Sequence, residues 1–148
     1  MAATAWAFFT EAKRRIGQND INLSAGPFRL ALYSSAASGT INTATITIQS
    51  EIGTEVSGGT YNAGGLTLSG VAWTTSGANT KFDVTDPIFT ASGSAMSNVR
   101  FGVIVKSVTA ATSGFVMAWS ALSTAEFDVT ASNTLTVQMA TTGVFVLS

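Results

Sequence analysis

Along the first sixteen residues the apolar positions recur every three or four places. Trp6, Phe9, Lys13 and Ile16 share one stripe and Phe8, Ala12 and Arg15 an adjacent one, which predicts an amphipathic helix from about Thr4 to Ile16. Thr4 would cap its start, and Gly17 would close it in the left-handed conformation. With three aromatics, Trp6, Phe8 and Phe9, in four residues, this helix has to bury one face. That face packs either on its own domain or on another subunit.

After Gly17 the period changes from three or four to two. Phe28, Leu30 and Leu32 alternate with Arg29, Ala31 and Tyr33, and Thr45 to Ile48 alternates again with Ile46 and Ile48 on one face. Glu51 to Val56 reads as a more polar extended stretch, and Val99 to Lys106 as a clean strand. Further strands fall at Lys81 to Val84, Pro87 to Thr90, Phe115 to Ser120, Phe127 to Val129, Leu135 to Met139 and Val144 to Leu147. Turn residues every eight to twelve positions suit a sandwich or barrel. The expected fold is mainly β: one antiparallel β-sandwich, jelly-roll or immunoglobulin-like, carrying an N-terminal α-helix. Residues 1–17 would form the helix and residues 18–148 the sandwich, one domain in all. Between Ser57 and Gly65 four glycines occur in nine residues, which favours a tight connection with close backbone approach. No Lys or helical pattern follows them as a phosphate loop requires.

Composition removes most chemistry. The 148 residues include no His and no Cys, and only 10% are charged, against about 25% in an ordinary soluble protein. Mean hydropathy is +0.36 and the net charge is −1, so nothing draws the chain to nucleic acid and much of its surface is expected to lie against neighbours. Lys13, Arg14 and Arg15 form the one basic cluster, either a solvated helix face or a contact to an acidic partner surface. The N-terminal order of residues does not suit a secretory signal, and no apolar run approaches the roughly 18 residues of a membrane span. Synthesis and folding in a cytosol are expected, with no membrane partner.

Without His or Cys, a hydrolase would need Ser or Thr activated by Lys, or paired acids. Lys106 and Ser107 are adjacent on a strand and would point to opposite faces. Glu51 with Glu55, and Asp83 with Asp86, are the acid pairs, and Asp83-Val-Thr-Asp86-Pro87 reads as a turn, with a calcium ion as the other reading. No catalytic residue, cofactor or metal ligand is expected. Tyr61 and Trp73 could form an aromatic platform for a glycan, whereas Trp119 lies in an apolar strand and reads as core.

Several motifs in order carry a resemblance over nearly the whole chain. They are the aromatic helix; Ile16-Gly-Gln-Asn-Asp-Ile-Asn-Leu23; Phe28-Arg-Leu-Ala-Leu-Tyr-Ser34; Glu55-Val-Ser-Gly-Gly-Thr-Tyr-Asn-Ala-Gly-Gly-Leu-Thr-Leu68; Thr80-Lys-Phe-Asp-Val-Thr-Asp86; Asn98 to Lys106; and the closing Gly-Val-Phe-Val-Leu147. With these the chain resembles small virion proteins of tailed bacteriophages, of the head-decoration or cement type. The resemblance implies a β-sandwich virion subunit with no catalytic motif. The expectation is a non-enzymatic decoration protein on the outer capsid surface, bound to the major capsid protein and to itself as a homotrimer. Trp6, Phe8, Phe9, Lys13, Arg14 and Arg15 are the expected partner interface. A tail or fibre component, and a carbohydrate-binding β-sandwich module, are the alternatives.

Overall fold

The computed structural model describes residues 5–107 and 113–147. In chain order these residues form β1 (Ala7–Phe8), α1 (Thr10–Gly17), β2 (Phe28–Tyr33), β3 (Leu66–Thr67), β4 (Ala72–Ser76) and β5 (Asn79–Asp83). There follow β6 (Ile88–Thr90), β7 (Met96–Val99), β8 (Phe101–Lys106), β9 (Phe115–Ala121), β10 (Phe127–Val129), β11 (Thr134–Thr136) and β12 (Phe145–Leu147). The chain is mainly β, with antiparallel sheets and one short helix near its N-terminus.

A five-stranded sheet in the order β1-β9-β8-β2-β3 forms the centre. β2 pairs with β8 over six residues, from Phe28 opposite Lys106 to Tyr33 opposite Phe101. Both faces of these strands are apolar. Phe28, Leu30, Ile104 and Ala118 share one face, Ala31, Val103 and Val105 the other, and all are 0% exposed. A sheet with no wet side needs a layer on each side. On the first face lies the three-stranded sheet β12-β5-β4, joined through the Phe28–Phe82 rings at 5.1 Å. Over the second face runs segment 34–56, where Tyr33 reaches the Gln49 carbonyl and Ala37, Ile41, Ile46 and Ile52 are buried. β7 with β10, and β6 with β11, form two-stranded ribbons. The result is an open sandwich, not a closed barrel.

Several expectations need correction. The helix does not start near Thr4, a residue outside the described range, but at Thr10, because Ala7 and Phe8 pair instead with Trp119 and Ala118 as an edge strand. Periodicity over so few residues does not separate the two conformations, and tertiary burial decides. Gly17 is not the left-handed closing residue. Gln18 caps the helix in the right-handed region, and Asn19 takes φ +65°. Thr45 to Ile48 forms no strand: only an isolated bridge joins Ile48 to Phe115, and the Glu51 carboxylate ties down the Thr47 and Ile48 amides. Val99 to Lys106 is two strands broken at Arg100, and its alternation does not separate core from solvent. The strand expected at Leu135 to Met139 is Thr134–Thr136.

The glycine-rich connection makes the close approach its composition requires. Gly65 has φ +80°, and a Cβ there would lie 2.1 Å from the Leu30 carbonyl oxygen of β2. Gly65→Ala is therefore expected to cost about 3 kcal/mol or more in urea unfolding, whereas Gly39→Ala, in open space, is expected to change stability by less than about 0.5 kcal/mol. Equal midpoints for the two variants would refute the close approach.

Candidate functional site

α1 packs on its own sheet. Phe9 is 3% exposed and Ala12 is fully buried, whereas Trp6, Phe8 and Arg15 are half-buried, so one of the six side chains expected to meet a partner is committed wholly inside the molecule. Phe9 follows β1, with its N–H bonded to the Met117 carbonyl at 3.1 Å. Phe8 lies edge-on to Phe145, with ring centroids 4.3 Å apart, and half-buried Trp6 packs on the core. The Arg15 guanidinium stacks 3.9 Å above the Phe115 ring and bonds Asp20 at 3.1 Å. Arg14 is bridged to Glu11 at 2.6 Å. Of the six expected interface residues, Lys13 and Arg14 stand exposed, and Phe9 has no surface to offer.

The acids expected to pair act singly, as acceptors for the backbone. Glu51 takes the Thr47 amide at 2.6 Å and the Ile48 amide at 3.2 Å, which hold its carboxyl below the usual carboxylate range. Asp83 accepts from the Val84 amide at 3.0 Å and from Lys81 at 2.9 Å. Asp86 reaches the Met139 amide at 2.7 Å, 53 residues away, so the Asp83–Asp86 turn is also a long-range clamp. Glu126 accepts from Ser35 N at 2.6 Å and Asp128 from Asn98 N at 2.8 Å. Among the described residues no group of three or more acidic, His or Cys side chains gathers to hold a metal.

Glu55 organises the densest polar cluster, which sequence inspection did not single out as a unit. Its two oxygens accept from the Gln49 side-chain amide at 2.8 Å, from the Gly64 amide at 2.9 and 3.0 Å, and from the Tyr61 hydroxyl. The Tyr61 oxygen in turn accepts from Leu32 N at 3.0 Å, closing the β2 edge just beyond β3. Burial and the neighbouring Glu55 charge push the Tyr61 and Tyr33 hydroxyls up, so both are neutral donors. An open cleft of about 380 Å³ lies alongside, lined by Gln49, Gly53, Thr54, Glu55, Val56 and Ala63. The Glu55 carboxylate is taken up by the protein's own donors. The cluster is a clamp, and it offers no free base beside a nucleophile.

The two aromatics considered for a glycan platform separate in the fold. Tyr61 stacks on Phe89 at 6.0 Å with its hydroxyl committed, whereas Trp73 lies on β4 against Phe145 at 5.8 Å. Trp119 packs edge-on to Phe101 at 6.1 Å and joins the core margin. Burial pushes the Lys106 ammonium down; it bonds the Ala25 carbonyl and lies 4.9 Å from the Phe28 ring.

No protein-family model, curated protein or solved structure matches this chain. No helix among the described residues is long and apolar enough to cross a membrane.

Substitution and acid each probe these placements. Phe9→Ala is expected to cost about 3–5 kcal/mol of folding stability by urea denaturation, as for a core aromatic; a loss below about 1 kcal/mol would put Phe9 outside the core. The folded Glu51 carboxyl lies below its ordinary value, so its contribution is present above the unfolded carboxylate pKa and is lost as pH falls through the lower folded value. With no His or Cys to titrate near neutrality, melting temperature is expected to stay level from pH 8 to 6 and to drop below about pH 4. Glu51→Gln should shallow that drop; an unchanged acid slope in the variant would remove Glu51 from the account.

Proposed function

We propose that this chain is a non-enzymatic structural subunit of a tailed-phage virion, a decoration or cement protein. It attaches as a homotrimer to the outer surface of the mature head, with the major capsid protein as its partner. The observation that carries this reading is the internal use of charge. All eight carboxylates have partners within the fold, and among the seven cations only Lys13 and Arg29 have no ion pair or hydrogen bond among the described residues. Five of the acids, Asp20, Glu51, Asp86, Glu126 and Asp128, stand exposed but already held by a partner in the same chain, and between them the contact surface consists of hydroxyls, amides and small apolar groups. The exposed β4–β5 hairpin, from Thr74 to Asn79, has no charged residue.

Such a surface suits permanent contact. Burying it removes apolar area from water at roughly 25 cal/mol per Å² without the desolvation cost of unpaired charges. Contacts repeated over a lattice then add by avidity, and binding to the assembled shell alone stabilises that state. The sequence resemblance to small virion proteins supports the same reading.

Two measurements test it. In purified parent virions, a copy number comparable to that of the shell subunit is expected; a few copies per particle would replace the head assignment with a tail or fibre one. Purified protein added back to shells lacking it should bind with affinity changed by less than about threefold between 0.05 and 1 M NaCl, because few unpaired charges remain to be screened. A loss of tenfold or more would make charge the main contact and overturn this mechanism.

A further inference from the structure

We infer that the cleft between β4 and the loop after α1 is a binding site for a neutral pyranose, the terminal ring of a glycan. The cleft holds about 230 Å³ and is bounded by Trp73 with Ile16, Asn19, Asn22, Leu23 and Ser24. Its volume suits one sugar ring, and is small for a nucleotide or an extended peptide.

The wall chemistry selects the ligand. Trp73 supplies an aromatic surface already fixed from behind by Phe145 at 5.8 Å, and aromatic surfaces accept the C–H patch of a pyranose. The remaining polar wall consists of amides and a hydroxyl. Asn22 Oδ1 accepts from Ser24 N at 3.0 Å and from Ser24 Oγ at 2.7 Å, which fixes the side chain and leaves its two N–H groups for another acceptor. The Asn19 side-chain amide makes no hydrogen bond among the described residues, so it offers both a donor and an acceptor. No charged side chain lines the cleft, so phosphate and carboxylate ligands find no counter-charge there.

The loop is held in place before any ligand arrives. Ile21 is 1% and Leu23 5% exposed, and these anchors alternate with the outward positions Asn22 and Ser24. The Asp20 and Ile21 amides both bond the Arg15 carbonyl, at 2.9 and 3.3 Å, and Asn19 turns the chain at φ +65°. A rigid, neutral wall of aromatic and amide groups loses little entropy on binding. The site stands apart from the virion reading: a head, tail or fibre location leaves its chemistry unchanged, and it does not include Tyr61.

Nuclear magnetic resonance titration tests it with the intact chain. The three Trp indole N–H signals and the backbone amides are followed while methyl glycosides of glucose, galactose and N-acetylglucosamine are added to 200 mM. The expected result is a saturable shift of the Trp73 indole and of residues 19–24 for at least one glycoside, with millimolar Kd and the Trp119 signal unmoved. Asn19→Gly keeps the left-handed backbone and should weaken binding about fivefold without lowering the melting temperature. No shift with any glycoside, saturable shifts centred away from Trp73, or undiminished binding in Asn19→Gly would each overturn the proposal.

Discussion

Burial of the β2–β8–β9 core on both faces is the constraint from which the rest of the architecture follows. A half-wet antiparallel sheet would have required one covering layer, but Leu30, Ile104, Val103 and Val105 leave neither face to water. One cover is regular, because the β4–β5 hairpin and β12 can present Trp73, Phe82 and Phe145 from a single pleated face. The other is irregular. Segment 34–56 drops Ala37, Ile41, Ile46 and Ile52 onto the sheet through turns, and its backbone then lacks a ladder to satisfy it. Side chains substitute for the missing ladder. Ser34 Oγ accepts the Ala36 amide, Glu51 accepts those of Thr47 and Ile48, and Thr40 bonds the Ile52 carbonyl at 2.6 Å.

That need explains where the few charges go. Buried or half-buried backbone amides outside a ladder cost free energy unless an acceptor meets them, and a carboxylate is the strongest acceptor a side chain offers. Glu51, Glu55, Asp83, Asp86, Glu126 and Asp128 all accept backbone N–H groups, while Glu11 and Asp20 hold the two arginines of α1. The acids of this chain are backbone fasteners. Five of the eight remain exposed to water while they do so, so each fastener also serves the surface.

The fold class was legible because the alternation at Phe28 to Tyr33 and the apolar run at Phe115 to Ser120 are strong local signals, and so was the tight glycine connection. What was not legible was set by long-range contacts. Phe8 satisfies a helical stripe and a strand equally well, and only the free edge of β9 decided between them. Ile46 and Ile48 alternate as a strand would, yet Ile46 closes a turn onto the Thr43 carbonyl and Ile48, extended, makes a single bridge before the Glu51 clamp turns the chain. The Glu55 cluster joins Gln49, Tyr61, Gly64 and, through Tyr61, Leu32, residues up to 32 positions apart, so no local motif could announce it. Trp73 was visible as a candidate aromatic, but its partners Asn19, Asn22 and Ser24 reach it only through the closure of β4 over the helix-following loop.

The two proposals share a physical basis. A surface whose few charges are paired within the chain and nearly cancel makes weak long-range fields, so recognition depends on close shape fit and on hydrogen bonds made at contact. Over the broad hairpin and loop surfaces, that favours permanent association, where area accumulates over many copies. In the small concavity beside Trp73 the same neutrality favours a polyol, whose hydroxyls match amides as donors and acceptors and whose ring carbons match the indole. A charged wall would have bound water and counter-ions too firmly for either kind of contact. Pairing of the few charges within the fold therefore also sets what the outside of the molecule is able to recognise.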